Sequence, residues 1–108
     1  MQSNENKIKF GEVVIKILSN SDELTVSELY FPAGIVAKIH SHPHEEVNYV
    51  ISGELYFMCD GESKTLLPGD VMRIPPNILH NIKCSEKSDG KVITVWTPSR
   101  KDLIEKIK

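Results

Sequence analysis

No stretch of this sequence has the run of apolar residues needed to span a bilayer, and the polar start, Met1 to Lys9, lacks the apolar core of a signal peptide. Neither sign of charge dominates: thirteen Lys and Arg stand against fifteen Asp and Glu, a formal net charge of -2. That balance argues against a nucleic-acid face or a polybasic membrane patch. Cysteine is scarce. Cys59 and Cys84 have neither CxxC spacing nor a secretory context, which predicts reduced thiols rather than a disulfide. Internal repeats, low-complexity segments and linkers are absent. One cytoplasmic domain over residues 1–108 is the expectation, and 40% apolar with 26% charged residues suits a packed core.

What is present is a series of short apolar runs broken by turn formers, the mark of many strands. Strands are predicted over Val13–Leu18, Leu24–Phe31, Ile35 to about His42, Glu46–Ile51, Glu54–Cys59, Ser63–Leu67, Val71–Ile74, His80–Cys84 and Val92–Thr97. Asp60-Gly61 is a strong hairpin signal because both residues tolerate the positive φ of a primed turn. From Ser99 the period changes: Leu103, Ile104 and Ile107 suit a short helix over about 99–107, with Ser99 as N-cap and Asp102 three residues on. The class is all-β, and so many short strands must close into a barrel or jelly roll to hide their edges.

All four histidines fall in two clusters, His40-Ser41-His42-Pro43-His44-Glu45-Glu46 and His80. Residues i and i+2 of a strand share a face, so His40 and His42 project together. Glu46 keeps their parity beyond the Pro43 break, and His80 arrives from a later strand. Imidazoles with a carboxylate make a mixed N/O set suited to one divalent ion among Fe, Mn, Ni, Zn and Co. His44 sits in the proline kink and is expected behind the ligands or at the surface. Glu45, of opposite parity, should lie outside the pocket. Cys84 shares the parity of His80 and is expected mainly as a small buried hydrophobe.

The same residues resemble the two motifs of the cupin family. The first, over residues 34–53, reads Gly34, five residues, His40, one, His42, three, Glu46, six, Gly53. The second, over 69–84, reads Gly69, five residues, Pro75, then Asn77 in place of glycine, two residues and His80, with Cys84 replacing the family asparagine. The resemblance implies a double-stranded β-helix with the metal near one end of the barrel and a short C-terminal helix after it.

Within cupins the segment Thr94 to Arg100, taken with His-Ser-His-Pro-His, is similar to the small pectin-degradation cupins of the KdgF type, which help linearise unsaturated uronates. There an aspartate, an aromatic two residues on and an arginine six residues on line the pocket; here those positions hold Thr94, Trp96 and Arg100. Trp96 can form an apolar platform and Arg100 can clamp a carboxylate, whereas threonine cannot act as the acid or base. The resemblance thus implies a metal-dependent enzyme acting on a small oxygenated acid, with uronate ring opening or isomerisation as the first reaction to consider. A metal-containing small-molecule binding protein without turnover and an iron-dependent dioxygenase are the alternatives. A homodimer is expected, since the apolar N-terminal strands leave surface for one.

Overall fold

The computed structural model describes residues 6–107, so Met1 to Glu5 of the polar start lie outside the described residues. The strands are β1 (Lys7–Phe10), β2 (Val13–Asn20), β3 (Thr25–Phe31), β4 (Glu45–Ser52), β5 (Leu55–Cys59), β6 (Glu62–Leu66), β7 (Val71–Ile74), β8 (His80–Cys84) and β9 (Gly90–Thr97). They form two antiparallel sheets, one ordered β1-β2-β3-β9-β4-β7 and the other β6-β5-β8. No helix of the described residues is long and apolar enough to cross a membrane.

Strict alternation decides which side chains enter the barrel. On β9, Val92, Thr94 and Trp96 are buried while their neighbours are half-buried or exposed. Register then places these residues in rows: Thr25, Trp96, Glu46 and Ile74 lie across the large sheet, and Ser27, Thr94, Asn48 and Met72 beside them. The next row, Leu29, Val92 and Val50, is apolar. It joins Phe31, Phe57, Leu55 and Leu66 in the core. One end of the barrel is therefore polar inside and the other is closed by packing.

Asp60 and Gly61 adopt φ of 53° and 81°, the positive pair the β5–β6 hairpin requires. Gly53, at the end of the first motif, has φ 88°, and a Cβ there would stand 2.6 Å from the carbonyl oxygen of Asp89.

Three expectations need correction. The segment Ile35–His42 is not a continuous strand. It meets β8 through isolated bridges at Val36–Lys83 and His40–His80, one residue out of register with each other. The Lys38 carbonyl faces the His40 ring instead of a ladder partner. A strand was also missed: β1 pairs with β2 through Ile8–Ile15 and Phe10–Val13, and its Lys-Ile-Lys-Phe alternation runs for only four residues.

The third concerns the terminal helix, which is one turn, α1 (Lys101–Ile104), followed by a 3-10 turn at Glu105–Ile107. Ser99 does not cap it, and Arg100 at the cap position offers no side-chain bond. The Ser99 hydroxyl donates to Asn20 Oδ1 at 2.8 Å, and the Arg100 N–H donates to the Thr25 hydroxyl at 2.8 Å, tying the helix to the start of β3.

Candidate metal centre

His40 comes from the bridging segment, His42 from the chain just before β4, Glu46 from β4 and His80 from the first residue of β8. Two backbone hydrogen bonds hold the His40 and His80 segments together, His40 N–H to the His80 carbonyl at 3.0 Å and the reverse at 2.9 Å. Asn77, in the left-handed conformation at φ 65°, donates its N–H to the His42 carbonyl at 2.8 Å. That bond docks the turn before His80 against the His42 segment, and Asn accepts the conformation because its short side chain is tolerated there.

One ring nitrogen from each of His40, His42 and His80 lies within 4.8 Å of the other two. Each ring has its Nδ1 against a backbone carbonyl: His40 against Lys38 at 2.9 Å, His42 against His44 at 3.1 Å, His80 against Ile78 at 2.8 Å. A carbonyl only accepts, so Nδ1 carries the proton and Nε2 of the neutral ring keeps its lone pair. Yet His42 Nε2 stands 3.0 Å and His80 Nε2 3.5 Å from Glu46 Oε1. His80 Nε2 is buried without a hydrogen-bond partner. Lone pairs facing a carboxylate at these distances call for positive charge between them, and a metal cation fits that need.

Burial opposes ionisation of Glu46, but the His42 and His80 rings and the Asn48 amide that face it outweigh burial and hold its carboxyl well below the usual range. Burial lowers the pKa of His40, favouring the neutral ring a metal requires. For His80 burial acts the same way, but the Glu46 carboxylate overcomes it and raises the value.

The carboxylate is itself held in place. Trp96 Nε1–H donates to Oε1 at 2.9 Å and Asn48 Nδ2 to Oε2 at 2.9 Å, while the Thr94 hydroxyl donates to Asn48 Oδ1 at 2.8 Å. Trp96 is thus a core residue and part of the cavity wall at once. Thr94 is fully buried behind Asn48 and does not line the cavity. Arg100 does line it: Nε and Nη2 donate to the Asp102 carboxylate at 3.0 and 2.9 Å, and Cζ lies 4.7 Å from the centre of the Trp96 ring.

His44 is buried with Nδ1 unpartnered, and it serves the cluster through its carbonyl, which fixes the His42 tautomer. Burial pushes its own pKa down. Glu45 lies outside, paired with Arg73. Cys84 is a free, fully buried thiol away from the cavity wall, its pKa raised by burial; Cys59 is free as well.

Sequence reasoning missed Phe10 and Asn48. Phe10 meets the His40 ring edge-on at 5.2 Å and lines the cavity. Asn48 was accessible through its parity with Glu46, two residues earlier on the same strand.

An antiparallel β-barrel with a histidine cluster just inside one end, His42 and His80 buried and His40 half-buried, defines the class. The chain belongs to the cupin domain family, which matches residues 27–96. Among solved structures it is similar to an RmlC-like cupin from Shewanella frigidimarina, with 30% identity over 89% of this chain and 86% of that one and a TM-score of 0.81. It is also similar to KdgF from Halomonas sp., with 26% identity over 94% of each chain and a TM-score of 0.83. A further relative is dimethylsulfoniopropionate lyase DddQ of Ruegeria pomeroyi, 39% identical over 51 residues, which are 46% of this chain and only 25% of the lyase. The chain therefore matches about a quarter of that curated relative's length.

Proposed function

We propose that His40, His42, Glu46 and His80 hold one divalent transition-metal ion, of the group Fe, Mn, Ni, Zn and Co, and that the chain is a metal-dependent enzyme of the lyase or isomerase type acting on a small oxygenated acid. The observation that carries this reading is the tautomer pattern: three imidazoles, each with Nδ1 spent on a backbone carbonyl, bring one ring nitrogen each within 4.8 Å of the others, and two of them face the Glu46 carboxylate. A bound ion would supply Lewis acidity to a substrate oxygen. Trp96 and Asn48 keep Glu46 ionised and oriented. Arg100, at the cavity wall, supplies N–H donors for a substrate carboxylate.

Unsaturated uronates belong among the acids to test, because the likeness to KdgF covers 94% of each chain. Thr94, neutral and bonded to Asn48, favours a second reading, ligand binding without turnover. Elemental analysis should find about one metal ion per chain, lost in His80→Ala and Glu46→Ala. Turnover of unsaturated uronates or hydroxy acids that both variants abolish supports the enzyme; binding of these acids by metal-loaded protein without conversion supports the second reading, and a metal-free protein refutes both. Oxygen uptake by iron-loaded protein would turn the assignment to a dioxygenase. The same proposal takes residues 1–108 as one cytoplasmic domain working as a homodimer, which light scattering of the purified chain checks.

A further inference from the structure

Behind the histidine cluster a cavity of about 60 Å³ lies between the two sheets. Val13 and Ile15 of β2, Leu29 and Phe31 of β3, Ile82 of β8 and Leu103 of α1 form most of its wall. Apart from the metal-facing His40, Glu46 and His80, its one polar lining residue among the described residues is Arg100. The carboxylate of Glu46 already accepts from Trp96 and Asn48 and faces the His42 ring, and the indole N–H is spent on that carboxylate. Of the five N–H donors of a guanidinium, Arg100 gives two to Asp102. The remaining donors form one cationic point at the end of an otherwise hydrocarbon chamber.

A polyhydroxylated sugar ring would find no partners there, and each hydroxyl buried unpaired weakens binding about tenfold. A hydrocarbon segment gains by the same burial, and about 60 Å³ accommodates on the order of four to six non-hydrogen atoms. We propose that the ligand is a short-chain carboxylic acid bearing a hydroxyl or keto oxygen next to the carboxylate. Its oxygen head lies at the histidine cluster and Arg100, and an unbranched or singly branched alkyl tail lies among Val13, Ile15, Leu29 and Phe31. The inference rests on the metal reading for the head and on the cavity wall alone for the tail.

Trp96 is the one tryptophan of the chain and lines the cavity, so its fluorescence reports occupancy with or without metal. Titrating metal-loaded and metal-free protein with glycolate, lactate, 2-hydroxybutanoate, 2-hydroxypentanoate and galacturonate should give affinity rising about fourfold per added methylene, with galacturonate weaker than 2-hydroxypentanoate. Ala37→Val and Ala37→Leu, which narrow the chamber progressively at a residue that is neither a proposed metal ligand nor a tail contact, should flatten the series and leave glycolate binding and metal content unchanged. Tighter binding of galacturonate, a series indifferent to chain length, or the same series in both narrowed variants would overturn the proposal. A chain-length series that persists in protein unable to take up metal would instead refute the metal reading and leave the tail site standing.

Discussion

Thr94 stands where an acid is expected from the likeness to pectin-degrading cupins, and its surroundings show what it does instead. Fully buried, it donates to Asn48, which in turn donates to Glu46. Thr94→Val removes the hydroxyl at nearly constant volume and leaves Asn48 Oδ1 buried without a donor. A loss of about 1–3 kcal/mol in urea denaturation is expected, with metal affinity weakened by up to about 10-fold as Glu46 loses its support. Thr94→Ser should retain both. Metal affinity unchanged in Thr94→Val would show that the support stops at Asn48. Asn48 shares the face of Glu46 because period two is a property of β4 itself, whereas His40 and His42 lie outside any strand and are brought to Glu46 by the bridge to His80 and the turn that Asn77 docks. The first was legible in the sequence. The bond from Trp96 was not, since Trp96 reaches Glu46 only once β4 and β9 are in register.

The loop between β8 and β9 is fastened at the scale of the element. Asp89 accepts from the Tyr30 hydroxyl at 2.5 Å and from the Ala33 N–H at 2.9 Å, joining that loop to the end of β3 and the turn after it. These bonds, the Tyr30 bond above all, lower its carboxyl pKa. A carboxyl depressed in the folded state contributes stability that is fully present above its unfolded value near 3.9 and is lost as pH falls through the lower folded value. Thermal melts from pH 6 to pH 2 should show a steeper acid decline for the native chain than for Asp89→Asn; parallel curves would mean the staple carries no such linkage. Gly53 is fastened to the same loop, because its Cα approaches the Asp89 carbonyl too closely for any Cβ. Gly53→Ala should cost about 1–3 kcal/mol from the positive φ, and more from the clash, measurable as a lowered urea midpoint. The segment Ile35–His42 misled sequence reasoning because its apolar residues suit a strand. A one-residue offset against β8 instead lets both Ala37 and His40 line the cavity despite their opposite parity.

Across the whole molecule, eight strands were readable from turn chemistry and alternation, and so was the barrel that hides their edges. What escaped was set by long-range packing: β1 is two apolar residues spaced by lysines, recognisable only beside β2, and Ser99 is diverted from capping by Asn20 and Thr25, some seventy-five positions earlier or more. The proposed ligands likewise come from three stretches of chain, 40–42, 46 and 80, that meet only in the folded barrel. An unfolded chain presents them far apart, so a metal ion held by all four binds the native state alone and its binding free energy adds to folding stability. At free metal about a thousandfold above its Kd the gain is about 4 kcal/mol. For a chain of this length each kcal/mol moves Tm by about 4–8 °C, so chelation should lower Tm by roughly 15–30 °C. The apo protein should refold and regain its Tm on adding metal, since the barrel core of Val50, Phe57, Leu55 and Leu66 lies apart from the cavity wall. His80→Ala should melt at the same temperature with and without chelator. A native chain that melts identically in both conditions, after metal loading confirmed by elemental analysis, would mean that the ion is held somewhere other than at these four residues.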